Sequence, residues 1–259
     1  MSMALNRPIE SWVDKRVWVV GASSGIGAAL AKRLLQEGAI VALSARSVPL
    51  LAEVASSQLN AHVVPLDVTQ TAAWPVAMAQ VLERLGHIDL VVLGAARYDP
   101  THSWAIDLEQ AEKSFDLNVV SVYRGLAILV PHMLERGSGG IALIGSISAY
   151  TGLPRALIYG ATKAALQNLA ETLYFELAPK GLSVYLVNPG FVQTPMTAGN
   201  DFEMPGLMST DRAANAMLQG FERGCFEIRF PRGFAWLLRL VSLLPARLRF
   251  FVLHKTTKM

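Results

Sequence analysis

Apolar residues in this chain fall into two alternating kinds of segment. Short runs without polar interruption occupy residues 17–20, 40–43, 61–65, 88–93, 140–144 and 182–187, with a further candidate at 226–230. A run that is apolar at every position suits a strand buried on both faces, because its side chains point alternately to either side. Longer stretches with helical spacing lie between these runs, at 26–36, 50–57, 72–85, 108–134 and 156–178. The β-α-β-α order predicts an α/β fold, a doubly wound parallel sheet with helices on both faces. No repeat or linker divides the chain, so the reading is one domain over 1–259, with a core at 14–230 and an apolar extension at 231–259. Residues 195–211 fit neither kind of segment. They hold Gly199, Pro205, Gly206 and three methionines without periodicity, as a functional loop or a plain surface connection would.

Composition narrows the class. Hydrophobic residues make up 52% and charged residues 17%, which excludes a disordered chain, since there is ample apolar surface to offset ordering entropy. A single cysteine, Cys225, excludes a disulfide framework and any multi-thiolate metal site, and makes a reduced, cytoplasmic compartment the expectation. His62, His87, His102 and His132 lack ligand spacing, so no metal is expected. Residues 1–12 have no apolar core and carry Glu10, so no secretory leader is expected. The most apolar stretch, 233–244, contains Arg239 and stops at Pro245, short of the ~18 residues a membrane span needs. A net charge of +3 gives no ground for a nucleic-acid partner, but its distribution is uneven. Residues 228–259 hold seven Lys/Arg and no acid, against 16 basic and 20 acidic residues before them. This tail can cap a pocket, form an oligomer contact or lie peripherally on a membrane.

The first strand runs into Gly21-Ala22-Ser23-Ser24-Gly25-Ile26-Gly27, and a helix follows. Glycines at such a turn let the backbone approach a pyrophosphate, while the helix N-terminus supplies free N–H groups. This points to a Rossmann-type dinucleotide site. The same residues satisfy the G-x-S-x-G elbow of hydrolases, with Ser23 as nucleophile and His254 as base. However, that elbow belongs deeper in a sheet, and here a third glycine follows. Where an NAD site would carry an acid for the ribose hydroxyls, the second strand ends in Ala45-Arg46-Ser47. A guanidinium there binds a 2′-phosphate, so Arg46 favours NADP(H), with NAD(H) still possible and a solvated surface arginine as the plain alternative.

Tyr159 and Lys163 are four apart at the start of a long helix and so share a face. A cation about 4 Å away favours phenolate by roughly 4 kcal/mol at an effective dielectric of about 20, enough for proton exchange with an alcohol near neutrality. Alone, the pair also fits a structural tyrosine beside a surface lysine. Ser146 precedes it just past a strand, on the carboxyl edge where open α/β sheets bind ligands. Its hydroxyl can hold a carbonyl oxygen, with Ser148 as the rival.

In order along the chain, the glycine turn, Asp67, Asn118, Ser146, Tyr159-Gly160-Ala161-Thr162-Lys163 and Asn188-Pro189-Gly190-Phe191-Val192-Gln193-Thr194 resemble the single-domain branch of the short-chain dehydrogenase/reductase family. The resemblance covers about 14–230 and implies a seven-stranded parallel sheet, NAD(P), and hydride transfer at a carbonyl or alcohol carbon. It implies Tyr159 as acid–base and Lys163 as the group that lowers its pKa and holds the nicotinamide ribose. Ser146 would bind the substrate oxygen and Asn118 a relay water. Gly21, Ser23, Ser24, Gly25, Ile26, Gly27, Arg46, Asp67, Val68, Ala95, Pro189, Gly190, Val192 and Thr194 would contact the dinucleotide, with Asp67-Val68 at the adenine. Leu93-Gly94-Ala95-Ala96 departs from the family's asparagine-containing turn, and Val20 replaces a common threonine. Neither change touches the catalytic set. The resemblance also implies a homodimer or homotetramer. Met196, Phe202, Met204 and Met208 suggest an apolar, lipid-like substrate. A catalytically idle dinucleotide-binding sensor or scaffold is the alternative from another class.

Overall fold

The computed structural model describes residues 4–56 and 58–257. Seven parallel strands form one sheet: β1 (Arg16–Val20), β2 (Ile40–Ser44), β3 (Ala61–Val63), β4 (Leu90–Leu93), β5 (Gly139–Ile144), β6 (Leu182–Pro189) and β7 (Glu227–Phe230). Their order is β3-β2-β1-β4-β5-β6-β7. The chain therefore winds outward in both directions from the β1/β4 pair, and the crevice at that switch point is where such sheets bind ligands.

Alternation in β1 builds two cores. Val17 and Val19 enter a layer with α1 (Gly25–Gln36), α2 (Val48–Ala55) and α7 (Thr210–Glu222). Trp18 and Val20 enter the opposite layer, with α3 (Ala73–Leu85), α5 (Ser121–Arg136) and α6 (Leu157–Leu177). Trp18 and Trp74 meet edge to face at 6.0 Å, and Gly125 of α5 lets α3 approach, since a Cβ there would sit 2.6 Å from the Trp74 ring. Trp74 is therefore core, whereas Trp104 is exposed.

Three expectations need correction. The stretch read as one helix at 108–134 is α4 (Leu108–Phe115), a π-turn (Asp116–Val120) and then α5. Such a turn inserts one extra residue into the ladder, and it falls on Asn118. The irregular segment ends sooner than 211, because Ser209 caps α7 by accepting from Arg212 N at 3.3 Å. That helix was not foreseen, although Ala213, Ala214, Met217, Leu218 and Phe221 keep helical spacing. Helix α2 begins at Val48, where Pro49 suits the first turn; its expected end at Ser57 lies outside the described residues. The stretch Leu108–Arg136 is long and apolar enough to cross a membrane by length and composition. In the fold, Val122, Leu126, Leu129 and Met133 of α5 pack on the sheet as core.

Beyond β7 the extension forms two helices, α8 (Arg232–Ser242) and α9 (Ala246–Thr257). Ala235 and Leu238 of α8 pack against Ile147, beside the end of β5. Lys258 lies outside the described residues.

Candidate active site

A cavity of about 770 Å³ opens at the carboxyl edge of β1, β4 and β5. One end is made of backbone. Gly21 has a φ of +92°, and a Cβ on it would lie 2.7 Å from Ala95 N; a Cβ on Gly27 would lie 2.2 Å from the Gly21 carbonyl oxygen. Only glycine allows the first turn to pass this close to the turn after β4. Helix α1 starts at Gly25 with no acid in its first turn, and the hydroxyl of Ser24 makes no capping bond. The first-turn N–H groups thus face the cavity with the positive end of the helix behind them. Arg46 lies at the rim and is exposed, with no hydrogen bond or ion pair among the described residues, and no acid stands beside it at the tip of β2. These features fit an anionic dinucleotide. Gly94 N donates to Val20 O at 2.9 Å, so the departure from the family's asparagine leaves the β1–β4 junction bonded.

The other end is made of side chains. Ser146 follows β5, and Tyr159 and Lys163 project from the first turns of α6 into the same cavity. Tyr159 and Ser146 both line the cavity wall, and Ser146 favours the ionised form of the phenol. Ser146 Oγ accepts from Ser148 N at 3.2 Å and from Ser148 Oγ at 3.0 Å. Ser146 lines the cavity, whereas Ser148 stands behind it and does not. Lys163 is 2% exposed. Its Nζ donates to Ile144 O at 2.7 Å and lies 5.4 Å from the centre of the Tyr159 ring.

Electrostatics departs from expectation. Burial pushes Tyr159 up to about 12, with the nearby Tyr98 adding to the rise and Ser146 opposing it. Burial also pulls Lys163 down to about 7. The expected lowering of Tyr159 by a close cation is absent here, because desolvation penalises both charged forms. A tyrosine so placed keeps its hydroxyl proton near neutral pH. A lysine near 7 takes up a proton readily once a negative charge forms beside it.

Two expected residues lie off the cavity wall. Asn118 is 1% exposed. Its Oδ1 accepts from Arg97 N at 2.8 Å, while its Nδ2 donates to Arg97 O at 3.0 Å and Thr162 Oγ1 at 3.1 Å. Both amide hydrogens are spent, so its side chain clamps the 97 loop to α6. Asp67 Oδ1 accepts from Thr69 N at 3.0 Å and Thr69 Oγ1 at 2.7 Å; it caps its own turn, and Val68 reaches the wall. Ser23, Ser24, Ile26, Ala95, Pro189, Gly190, Val192 and Thr194 all line the cavity. Of the loop side chains, Met196 lines it. Met208 is core, and Met204 accepts from Asn200. Sequence reading missed Tyr98, whose ring meets Tyr159 edge to face at 5.1 Å, and the Arg155–Asp201 pair that ties the segment before α6 to the 195–209 loop. Neither had a sequence signal, because both depend on long-range packing. Ser23 has no histidine partner among the described residues, and His254 is exposed on α9.

A seven-stranded parallel sheet with a glycine cradle facing a serine–tyrosine–lysine cluster defines an NAD(P)-dependent oxidoreductase. Residues 15–204 match the short chain dehydrogenase family, to which the chain belongs. It is 36% identical over 207 residues to an uncharacterised oxidoreductase of Staphylococcus epidermidis, covering 79% of this chain and 90% of that one. A short-chain dehydrogenase from Streptomyces avermitilis is similar in structure with a TM-score of 0.81 at 29% identity, over 95% of this chain and 98% of that one. A 3-ketoacyl-(acyl-carrier-protein) reductase from Brucella melitensis, solved with NADH, has a TM-score of 0.79 at 25% identity, over 85% and 98%.

Proposed function

We propose that the protein is an NADP(H)-dependent reductase of apolar ketones, also able to run the reverse oxidation of secondary alcohols. The observation that carries this reading is the placement of Ser146, Tyr159 and Lys163 in one cavity with the glycine cradle. When bound, the nicotinamide supplies or accepts the hydride at the carbonyl carbon. Ser146 holds the carbonyl oxygen, and Tyr159 gives it a proton as the C–O bond becomes single. Lys163, as ammonium, stabilises the resulting phenolate and is placed to hold the nicotinamide ribose. Asn118 acts as a positioning residue, fixing α6 against the 97 loop. Arg46 supports the choice of NADP(H), since it is a free guanidinium where a 2′-phosphate would lie. Met196 on the cavity wall, with Leu117, Ile144 and Val192, supports an apolar substrate. Exposed Leu108, Phe115 and Tyr123 along α4 and α5 support self-association as a homodimer or homotetramer.

The test is NADPH oxidation with a panel of ketones of rising chain length. Turnover that rises with apolar chain length is expected. Tight NADPH binding without turnover of any carbonyl would instead mark a dinucleotide-binding sensor.

A further inference from the structure

Helix α8 is apolar on two sides. Ala235, Leu238 and Val241 are buried. On the outer side Trp236, Leu237, Leu240 and Leu243 are exposed, by 52% to 76%. With Gly233 they follow the spacing of one helix face. A helix lying at a water surface ordinarily carries charge there. Helix α9 continues the pattern with exposed Leu248, Phe250 and Phe251. Seven large apolar side chains thus face outward from two consecutive helices.

The charge around this face has one sign. Residues 228–259 hold seven Lys/Arg and no acid. Two of the seven are already paired: Arg229 and Arg239 reach Glu227 at 3.2 and 3.8 Å, and Arg229 also lies over the Trp236 ring at 4.7 Å. Arg249 donates to the Ser242 carbonyl at 3.2 Å. Arg232, Arg247 and Lys255 are exposed and make no ion pair among the described residues. An apolar face bordered by free cations fits the boundary between lipid headgroups and acyl chains, with the cations at the phosphates.

We propose that α8 and α9 dock the protein on an anionic lipid bilayer. Charge selects this occupant. A second copy meeting the same face would set like charges against one another with no acid to pair them, and a neutral bilayer would leave the cations unused. Helix α8 is tied to the cavity region, since Phe234 at its start stacks at 6.2 Å on Phe191, which lies in the chain between the cavity-lining Gly190 and Val192. An apolar substrate could then enter from the bilayer, a consequence that rests on the proposed substrate class, whereas docking itself does not.

Co-sedimentation of the full chain with phosphatidylcholine vesicles, with and without phosphatidylglycerol, tests the proposal. Pelleting is expected only with phosphatidylglycerol, and it should fall steeply in about 1 M salt, where the Debye length is about 3 Å. The double variant Leu240→Ser/Leu243→Ser should weaken partitioning at least about tenfold. Arg247→Ala and Lys255→Ala should each weaken it about fivefold. All should keep the wild-type circular dichroism spectrum and NADPH turnover of a short soluble ketone. Equal pelleting with both vesicle types, or none with either, overturns docking. So does a concentration-dependent dimer that Leu240→Ser/Leu243→Ser disperses, since a second copy then covers the face. Failure of the reductase reading would appear in the soluble-ketone assay and leave pelleting unchanged.

Discussion

The two ends of the cavity are prepared in different ways. At the glycine end the shape is set by backbone that only glycine permits, and no group there has to change charge. At the other end Ser146, Tyr159 and Lys163 are held in place, yet burial disfavours the charged form of both ionisable groups, raising Tyr159 and lowering Lys163. On the proposed function, binding is preorganised by sterics, while proton transfer depends on charge appearing in a dry site. A buried lysine is unfavourable for the folded chain and becomes useful only when an anion forms beside it.

The sharpest way to break this contrast is Lys163→Met, which keeps the bulk and removes the charge. Turnover should drop about 10²–10⁴-fold, the usual range for acid–base assistance. Stability should respond in the opposite sense. In the folded chain Lys163 loses its proton near 7, against an ordinary 10.5, so between those values the unfolded chain binds more protons. Wild-type stability should therefore rise with pH from about 7 until Tyr159 reverses the trend. Above its ordinary 10.0, and up to about 12, the folded chain binds the extra proton. Urea titrations from pH 6 to 10 should show this rise in the wild type and a flatter profile in Lys163→Met.

At the dinucleotide end, Arg46→Asp should shift preference from NADPH towards NADH. A charge-assisted bond is worth about 1.5–3 kcal/mol, or roughly 10- to 150-fold in affinity, readable by fluorescence titration with each cofactor. A mutant that still prefers NADPH would place recognition of the 2′-phosphate on Ser23 or Ser47.

The smallest effect separates the two serines. Ser146→Ala removes a bond to the substrate oxygen and should cost about 2- to 13-fold in turnover, equivalent to about 0.5–1.5 kcal/mol. Ser148→Ala removes only the donor behind it and should cost less. The reverse order, measured under saturating NADPH, would exchange their roles.

Much of this was legible in the sequence for a local reason. Doubly buried strands are continuous apolar runs, and a glycine turn or a tyrosine–lysine pair acts through residues close in the chain. What was illegible depends on distant partners. The π-turn at Asn118 interrupts a stretch whose pattern reads as one helix, because a single extra residue barely changes the periodicity. Asp67 faces its own turn, since Thr69 offers it two donors nearby. The protonation of Tyr159 and Lys163 follows from burial in the assembled fold; i,i+4 spacing brings them to one face but does not place the ammonium at the phenol.

The central claim is that Tyr159 transfers the proton in a site already shaped for the dinucleotide. Tyr159→Phe keeps the ring and its 5.1 Å contact with Tyr98 and removes only the hydroxyl. Measured side by side, NADPH affinity should stay within about twofold of wild type, while ketone turnover falls about 10²–10⁴-fold. A variant retaining more than about a tenth of wild-type turnover would contradict the assignment.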